Sequence, residues 1–418
     1  MMGRFWYSLV GYFLIPVILG RLGWRGFKAP DYWARWAERF GFFKSLPQHQ
    51  RIWIHAVSFG ELQAAVPLIK TLQYKYPHFN ILITTMTPTG AQRAKELFGE
   101  TITHLYLPYD LWHAVFLFLQ KTQPTIGIII ETELWANLFQ ACRKRNIPLF
   151  LVNARLSEKS AAKYRRFIPH LTKQTLQCLT HVIAQTTDDA KRLKELGAPT
   201  VSVSGNLKFE VEIPSALFEQ AKQLKQTFQN RPVWIAASTH EGEEIPLLKV
   251  HQRLKMQLPD ILLILVPRHP ERFNRVFQYC EQQGFQTIKR SLFQSVDNKT
   301  AVYLGDTMGE LLLLYAVADV AFVGGSFIPR GGHNLLEPAA VGKPILTGQF
   351  MFNFLEITKR LLEIHAAEQI TNEQQLTERV LFLLENAPIR QKKGEMAKRF
   401  VEQNRGALKK VLDLITIG

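Results

Sequence analysis

Short apolar runs that alternate with helix-length amphipathic stretches constrain this chain most. From residue 51 the runs are RIWIHAV (51–57), NILITTM (80–86), THLYLP (103–108), TIGIII (125–130), PLFLVN (148–153), HVIAQ (181–185) and TVSVSG (200–205). Near-continuous apolar strands with helices between them predict a parallel sheet covered on both faces. After GNLKFEVEIP the rhythm restarts with PVWIAAS (232–238), ILLILVP (261–267), TAVYLG (300–305), DVAFVGG (319–325) and KPILTG (343–348). The fold class is therefore α/β, with two consecutive Rossmann-like units and a linker near residues 205–214. A length of 418 residues suits two domains better than one core. The expected partition is a membrane-anchor helix with a basic and aromatic interfacial segment over 1–28, a first domain over 29–207, a second over 208–395, and a terminal basic amphipathic helix over 396–418.

Charge narrows the partners. Lys plus Arg number 51 and Asp plus Glu 35, a net +16 that favours an anionic partner. No arginine-rich run or zinc-finger spacing accompanies that charge, so nucleic acid is not expected. Cys142, Cys178 and Cys280 lie far apart with no CxxC pair, which suits small buried apolar residues rather than a disulfide framework or a zinc site. An uncharged stretch, FWYSLVGYFLIPVILG (5–20), lies between Arg4 and Arg21 and lacks a suitably spaced cleavage site. As a helix it covers ~24 Å, short of a ~30 Å hydrocarbon core. RLGWRGFKAPDYWARWAERFGFF then mixes Arg21, Arg25, Lys28, Arg35 and Arg39 with aromatic rings, against only Asp31 and Glu38. Rings at headgroup level and cations on lipid phosphates make this an interfacial segment on the cytoplasmic side of an anionic membrane surface. A core helix of a soluble domain is the alternative, and the sequence leaves open whether residues 5–20 span the bilayer or lie in it. Standing upstream of the first strand, the segment is expected to be separable from the fold.

Ligands of such sheets sit beyond the carboxyl ends of the strands. Glu61 follows the first strand, and Glu131 and Glu133 follow TIGIII. A strand-end Glu is also a common helix cap, although two strands with acidic exits strengthen the catalytic reading. Asn153 and Arg155 end another strand; Arg155, with Lys163, Arg165 and Arg166, either holds an anionic group or forms a solvated helix face. Lys208 stands at the hinge. In the second half, Ser238, Thr239 and His240 lie between a strand and a helix, where hydroxyls and free N–H groups form an anion site or a simple N-cap. Arg268 and His269 end a strand, TMGE precedes a helix near Glu310, and Gly324 and Gly325 end a further strand. Gly331 and Gly332 make a tight loop before HNLLEPAA, in which Glu337 lies three residues after Asn334, placed for a ribose diol.

The ordered set PRHP, MGE, GGS and GGHNLLEPAAVGKP, together with HAVSFGE, TTMTPTGAQRAKELFG, YLPYDL, ETELWANL, NARLSEKSAAKY, GNLKFE and ASTHEGEE, resembles the 3-deoxy-D-manno-octulosonic acid (Kdo) transferases of lipopolysaccharide synthesis over essentially the whole chain. The resemblance implies a GT-B glycosyltransferase whose two domains face each other across a cleft, acceptor on the first and donor on the second. It implies CMP-Kdo as donor and the tetraacylated, bisphosphorylated lipid A precursor lipid IVA as acceptor, at the cytoplasmic face of the cell inner membrane. Transfer inverts the anomeric centre with no metal or cofactor, and a second Kdo addition is expected, although the motifs alone do not count the sugars. By the same resemblance Glu61 is the general base, and Glu131 and Lys208 stabilise the transition state. Pro267, Arg268, Met308, Gly309, Glu310, Asn334, Leu335, Leu336 and Glu337 bind CMP, and Ser238, Thr239 and Gly332 are possible contacts to donor phosphate or Kdo. Two other readings remain open at this level: a related enzyme acting on another nucleotide sugar, and a non-catalytic protein that binds anionic lipid. Binding of CMP but not UDP separates the three.

Overall fold

The computed structural model describes residues 2–28 and 32–416. Asp31, the side chain of Lys28, and residues 29 and 30, where the N-terminal segment was expected to give way to the first domain, lie outside the described residues, as do residues 1, 417 and 418. The chain divides into two compact units, residues 1–210 with 405–418 and residues 211–404.

In the first unit α1 (Met2–Phe13) and α2 (Ile15–Lys28) precede seven strands: β1 (Arg51–His55), β2 (Asn80–Thr85), β3 (Thr103–Tyr106), β4 (Ile126–Ile130), β5 (Leu149–Ala154), β6 (His181–Ala184) and β7 (Val201–Val203). Their helices are α3 (Phe59–Lys75), α4 (Pro88–Phe98), α5 (Trp112–Thr122), α6 (Ala136–Lys144), α7 (Glu158–Phe167), α8 (Pro169–Leu176) and α9 (Thr187–Glu195). The strands form one sheet in the order β3-β2-β1-β4-β5-β6-β7, with all neighbours parallel. All five residues of β1 are buried, because its alternating side chains serve two cores. Ile52 and Ile54 pack with Leu62, Leu68 and Ile128 on one face, and Trp53 packs with Phe118, Ile129 and Leu151 on the other.

The second unit repeats the plan with β8 (Val233–Thr239), β9 (Leu262–Pro267), β10 (Thr287–Lys289), β11 (Val302–Leu304), β12 (Val320–Val323), β13 (Ile345–Thr347) and β14 (Ala367–Gln369). The order is β10-β11-β9-β8-β12-β13-β14, again parallel. Its helices are α10 (Leu217–Thr227), α11 (Glu244–Gln257), α12 (Phe273–Gln282), α13 (Leu311–Val317), α14 (Leu336–Ala340), α15 (Leu355–Glu363), α16 (Glu373–Glu385) and α17 (Ala387–Asn404). Strands β10 and β14 were not expected from the apolar rhythm. Each is a three-residue edge strand, and an edge needs no continuous apolar run.

The terminal stretch, expected as one helix over 396–418, is broken. Gly406, at φ 100°, separates α17 from α18 (Ala407–Leu414). Glu210 Oε1 accepts from the N–H groups of Gly406 (2.8 Å) and Leu408 (3.2 Å), and Ala407 and Val411 join the core around β1 and α3. The last helix of the chain thus completes the first unit.

Among the described residues no single helix is long and apolar enough to cross a membrane, while α1 and α2 pass together as a pair bent by 48°. Their outward face exposes Phe5, Trp6, Val10, Phe13, Val17, Trp24 and Phe27. The other face of α1 carries polar side chains that bond to the first unit, and α2 buries Leu22. Tyr7 reaches Asp110, Ser8 reaches Asn137 and Tyr12 reaches His113. The segment expected to be separable is therefore fastened to the first unit.

In both sheets the order reverses beside the first strand, between β1 and β4 and between β8 and β12. Such switch points open the crevices where α/β sheets bind ligands.

Candidate active site

Glu61 reaches the first switch point as the third residue of α3. Ser58 is the N-cap, and its Oγ accepts from the Glu61 N–H at 3.5 Å. The Glu61 carboxylate folds back to accept from the Val57 N–H (2.6 Å) and the Ser58 hydroxyl (3.1 Å). This is a variant of the capping box on an S-x-x-E spacing, in which the carboxylate takes the N–H of the residue before the N-cap, Val57, rather than that of Ser58 itself. Burial, then the charges of Glu131 and Glu133, push the Glu61 carboxyl up from 4.5 to about 7, against the pull of the Val57 N–H and the Ser58 hydroxyl.

Glu131 leaves β4 in the left-handed region at φ 60°. Its N–H bonds to Val152 O at 2.9 Å, and Glu133 N–H closes a tight turn on Glu131 O at 3.2 Å. Burial and the Glu131 charge also raise the Glu133 carboxyl. Lys208 Nζ lies 3.4 Å from Glu131 Oε1. Lys208 is carried on a single helical turn, Leu207–Phe209, whose two flanking side chains are buried, each worth roughly 1.5–3 kcal/mol. Asn153, itself at φ 57°, accepts the Leu207 N–H on Oδ1 at 3.0 Å. The end of β5 thereby holds the turn that presents Lys208. Three carboxylates and one ammonium converge at the strand exits.

Arg165 is engaged differently: it pairs with Glu158 and, at 3.0 Å, with Glu195 on the exposed side of α7. Arg155 contributes its backbone, donating N–H to Thr132 Oγ1 at 3.0 Å.

In the second unit β8 ends with Ser238 at φ 57° and Thr239, whose Oγ1 is buried without a hydrogen-bond partner. Helix α11 starts only at Glu244, so neither hydroxyl caps it. Instead the buried Glu243 carboxylate accepts from the N–H groups of His240 (3.0 Å), Gly325 (2.7 Å), Ser326 (3.0 Å) and Phe327 (3.0 Å). The N–H groups of Gly325, Ser326 and Phe327 after β12 are thus taken by a side chain of the protein.

Beside this loop His240 Nε2 and His333 Nε2 share a hydrogen bond of 2.8 Å with nearly parallel rings, and the His269 ring is centred 5.3 Å from that of His240. Burial, then neighbouring cations that include Arg268, push His240 down to about 4 and His333 to about 3. Both rings are neutral at physiological pH and act as hydrogen-bonding groups, one as donor and one as acceptor. Positive charge comes from the arginines. The Arg268 N–H bonds to Thr239 O at 2.9 Å, joining the β9 exit to that of β8. Four residues later Arg272 grips the buried Glu244 carboxylate with two nitrogens.

Gly331 (φ 97°) and Gly332 (φ 70°) admit no side chain: a Cβ there would lie 2.3 Å from Asn353 Nδ2 and 2.0 Å from Met351 Sδ. Asn334 Oδ1 accepts the Leu336 N–H at 3.0 Å, and its Nδ2 donates to Glu337 Oε1 at 3.3 Å. Leu335 and Leu336 are fully buried, and the Leu335 carbonyl accepts the Ala339 N–H at 3.2 Å. Met308 is exposed and Gly309 has φ 84°. Glu310 is held by Arg290 (2.8 and 3.1 Å) and Thr307 (2.5 Å), which lowers its carboxyl. Sequence reasoning passed over the cap formed by Ser58, the Glu243 cradle and His333. Only the first had a legible signal, the S-x-x-E spacing. Among the described residues no group of three or more His, Cys, Asp or Glu is arranged to hold a metal ion.

A family described as 3-Deoxy-D-manno-octulosonic-acid transferase (kdotransferase) matches residues 34–211. The 3-deoxy-D-manno-octulosonic acid transferase of Haemophilus influenzae is 42% identical over 99% of this chain and 98% of its own length. That of Bordetella pertussis is 34% identical over 99% of both. Among solved structures, Acinetobacter baumannii MurG (12% identity, TM-score 0.53, 88% of this chain and 99% of that one) shares the fold. So does the UDP-GlcNAc 2-epimerase of Neisseria meningitidis (16% identity, TM-score 0.53, 87% and 99%). With identity of this level over nearly its whole length, the chain belongs to the family of 3-deoxy-D-manno-octulosonic acid transferases, glycosyltransferases of lipopolysaccharide synthesis with a GT-B fold.

Proposed function

We propose that the protein is an inverting, metal-independent glycosyltransferase that moves Kdo from CMP-Kdo to the 6′-hydroxyl of lipid IVA. The observation that carries this reading is Glu61, a partly buried strand-exit carboxylate whose affinity for a proton is set near neutral pH. A general base works best when its pKa lies near the working pH. Glu61 takes the proton of the acceptor hydroxyl as that oxygen forms its bond to the anomeric carbon of Kdo. The bond from that carbon to the phosphate breaks, and its electron pair leaves with CMP. Glu131 and Lys208, 3.4 Å apart, stabilise the charges that develop on the way.

On the donor side, Pro267 and Arg268, Met308 to Glu310 and Asn334 to Glu337 hold CMP, with Ser238, Thr239 and Gly332 near the phosphate or the sugar. Because the N–H groups after β12 already bond to Glu243, the donor's negative charge is met by Arg268 and the neutral imidazoles of His240 and His333. Helices α1 and α2 rest in the headgroup plane on the cytoplasmic face of the inner membrane. With 12 and 14 residues they extend ~18 and ~21 Å, each less than a ~30 Å core, and their apolar face points away from the protein. A second Kdo addition is included on the strength of the resemblance alone.

The test incubates detergent-solubilised protein with CMP-Kdo and lipid IVA and weighs the product. A gain of one or two Kdo masses is expected, together with calorimetric binding of CMP and not UDP. No transfer, or a preference for UDP, refutes the reading.

A further inference from the structure

The motif YLPYDL, with the residues that follow it, has no place in the chemistry above. Its Asp110 is half-buried and supplies the cap that α6 lacks, since Trp135 at the N-cap position makes no side-chain capping bond. Asp110 Oδ2 accepts the Asn137 N–H at 3.0 Å and Oδ1 the Leu138 N–H at 2.9 Å. Asn137 Nδ2 returns a bond to Asp110 O at 2.6 Å. The remaining partners come from the anchor helix: Tyr7 donates its hydroxyl to Asp110 Oδ2 at 2.9 Å and Ser8 donates to Asn137 Oδ1 at 3.1 Å. One turn further along α1, Tyr12 bonds to His113 Nδ1 at 2.6 Å. Helix α6 follows directly on the turn that carries Glu131 and Glu133, with only Leu134 and Trp135 between.

We propose that Tyr7 is a positioning residue: through Asp110 and the first turn of α6, the anchor helix α1 sets the placement of the Glu131–Glu133 turn, so that the membrane seat and the acceptor site are one mechanical unit. The proposal rests on the transferase reading for its effect on rate, and on the hydrogen-bond chain alone for its effect on the turn. A helix that only tethered the enzyme would need no polar face. Here the inward side places Tyr7 on the capping Asp110, Ser8 on Asn137 in the first turn of α6 and Tyr12 on His113 in the first turn of α5, while the outward side is apolar.

The experiment compares full-length wild-type protein with Tyr7→Phe and Asp110→Asn in detergent micelles, where membrane recruitment no longer limits the rate. Amide hydrogen exchange over residues 131–138 is expected to quicken in Tyr7→Phe, and more in Asp110→Asn, with the rest of the first unit unchanged. For Tyr7→Phe, kcat is expected to fall about fivefold, the effect of one hydrogen bond, with KM for CMP-Kdo unaltered. Wild-type exchange and kcat in Tyr7→Phe overturn the proposal, as does faster exchange spread evenly over the unit. If wild-type protein transfers no Kdo, the transferase reading falls, and the exchange comparison still decides whether Tyr7 holds the turn.

Discussion

Glu61 sets catalysis against stability, and Glu61→Gln separates the two. The carboxyl has been lifted from 4.5 to about 7, so it is roughly one-tenth ionised at pH 6 and nine-tenths at pH 8. Because the folded-state value lies above the unfolded one, the folded protein binds this proton more tightly than the unfolded chain. The resulting stability is fully present below about pH 4.5 and is lost as pH rises through about 7. A lift of that size corresponds to roughly 3 kcal/mol before solvent screening. A neutral glutamine escapes this loss. Its Oε1 still accepts the Val57 N–H, so the helix cap survives in part, at a cost of about 0.5–1.5 kcal/mol for the weakened bonds. Glu61→Gln is therefore expected to melt at or above the wild-type temperature at pH 8 and slightly below it at pH 5, by calorimetry. Transfer at pH 8 is expected to fall by ~10²–10⁴-fold, because the amide cannot take a proton, while CMP binding is unchanged. In the wild type, kcat/KM should decline with acid through a limb near pH 7. Turnover of the glutamine variant at the wild-type rate would falsify the assignment and pass the role to Glu131. Equal destabilisation at both pH values would show that the carboxylate serves mainly as a cap.

Arg268→Ala should weaken CMP-Kdo binding by roughly 1.5–3 kcal/mol in calorimetry, the value of a charge-assisted hydrogen bond; an unchanged affinity moves the phosphate site elsewhere. Lys208→Ala removes the cation 3.4 Å from Glu131 and should lower kcat about 10²-fold with little change in CMP affinity, and a rate within twofold of wild type argues against a part in the transition state. Glu243→Ala leaves four N–H groups without their acceptor and should destabilise the second unit by at least ~3 kcal/mol in urea unfolding; a loss below ~1 kcal/mol shows that the loop finds other partners.

What the sequence determined by itself is what local pattern can carry. Five apolar residues among the seven of RIWIHAV, and twelve such runs along the chain, demand parallel sheets, because a strand covered on both faces has no polar side to show. A strand-end carboxylate at Glu61 was equally visible, as was the S-x-x-E spacing beneath it. The apolar stretch over residues 5–20 reported one face of a helix pair, and the residues that bond its other face lie about a hundred positions away, at Asp110, His113 and Asn137. Nothing local distinguishes Glu243 from Glu241 or Glu244, yet only Glu243 meets the N–H groups beyond β12, eighty residues on. Helix α18 looks like a continuation of α17 until Glu210 is seen to cap it. Tertiary structure decided these points for one physical reason. A helix or strand is specified by the period of its own side chains, whereas the partner of a buried polar group is chosen by which distant segment the fold brings within hydrogen-bond reach.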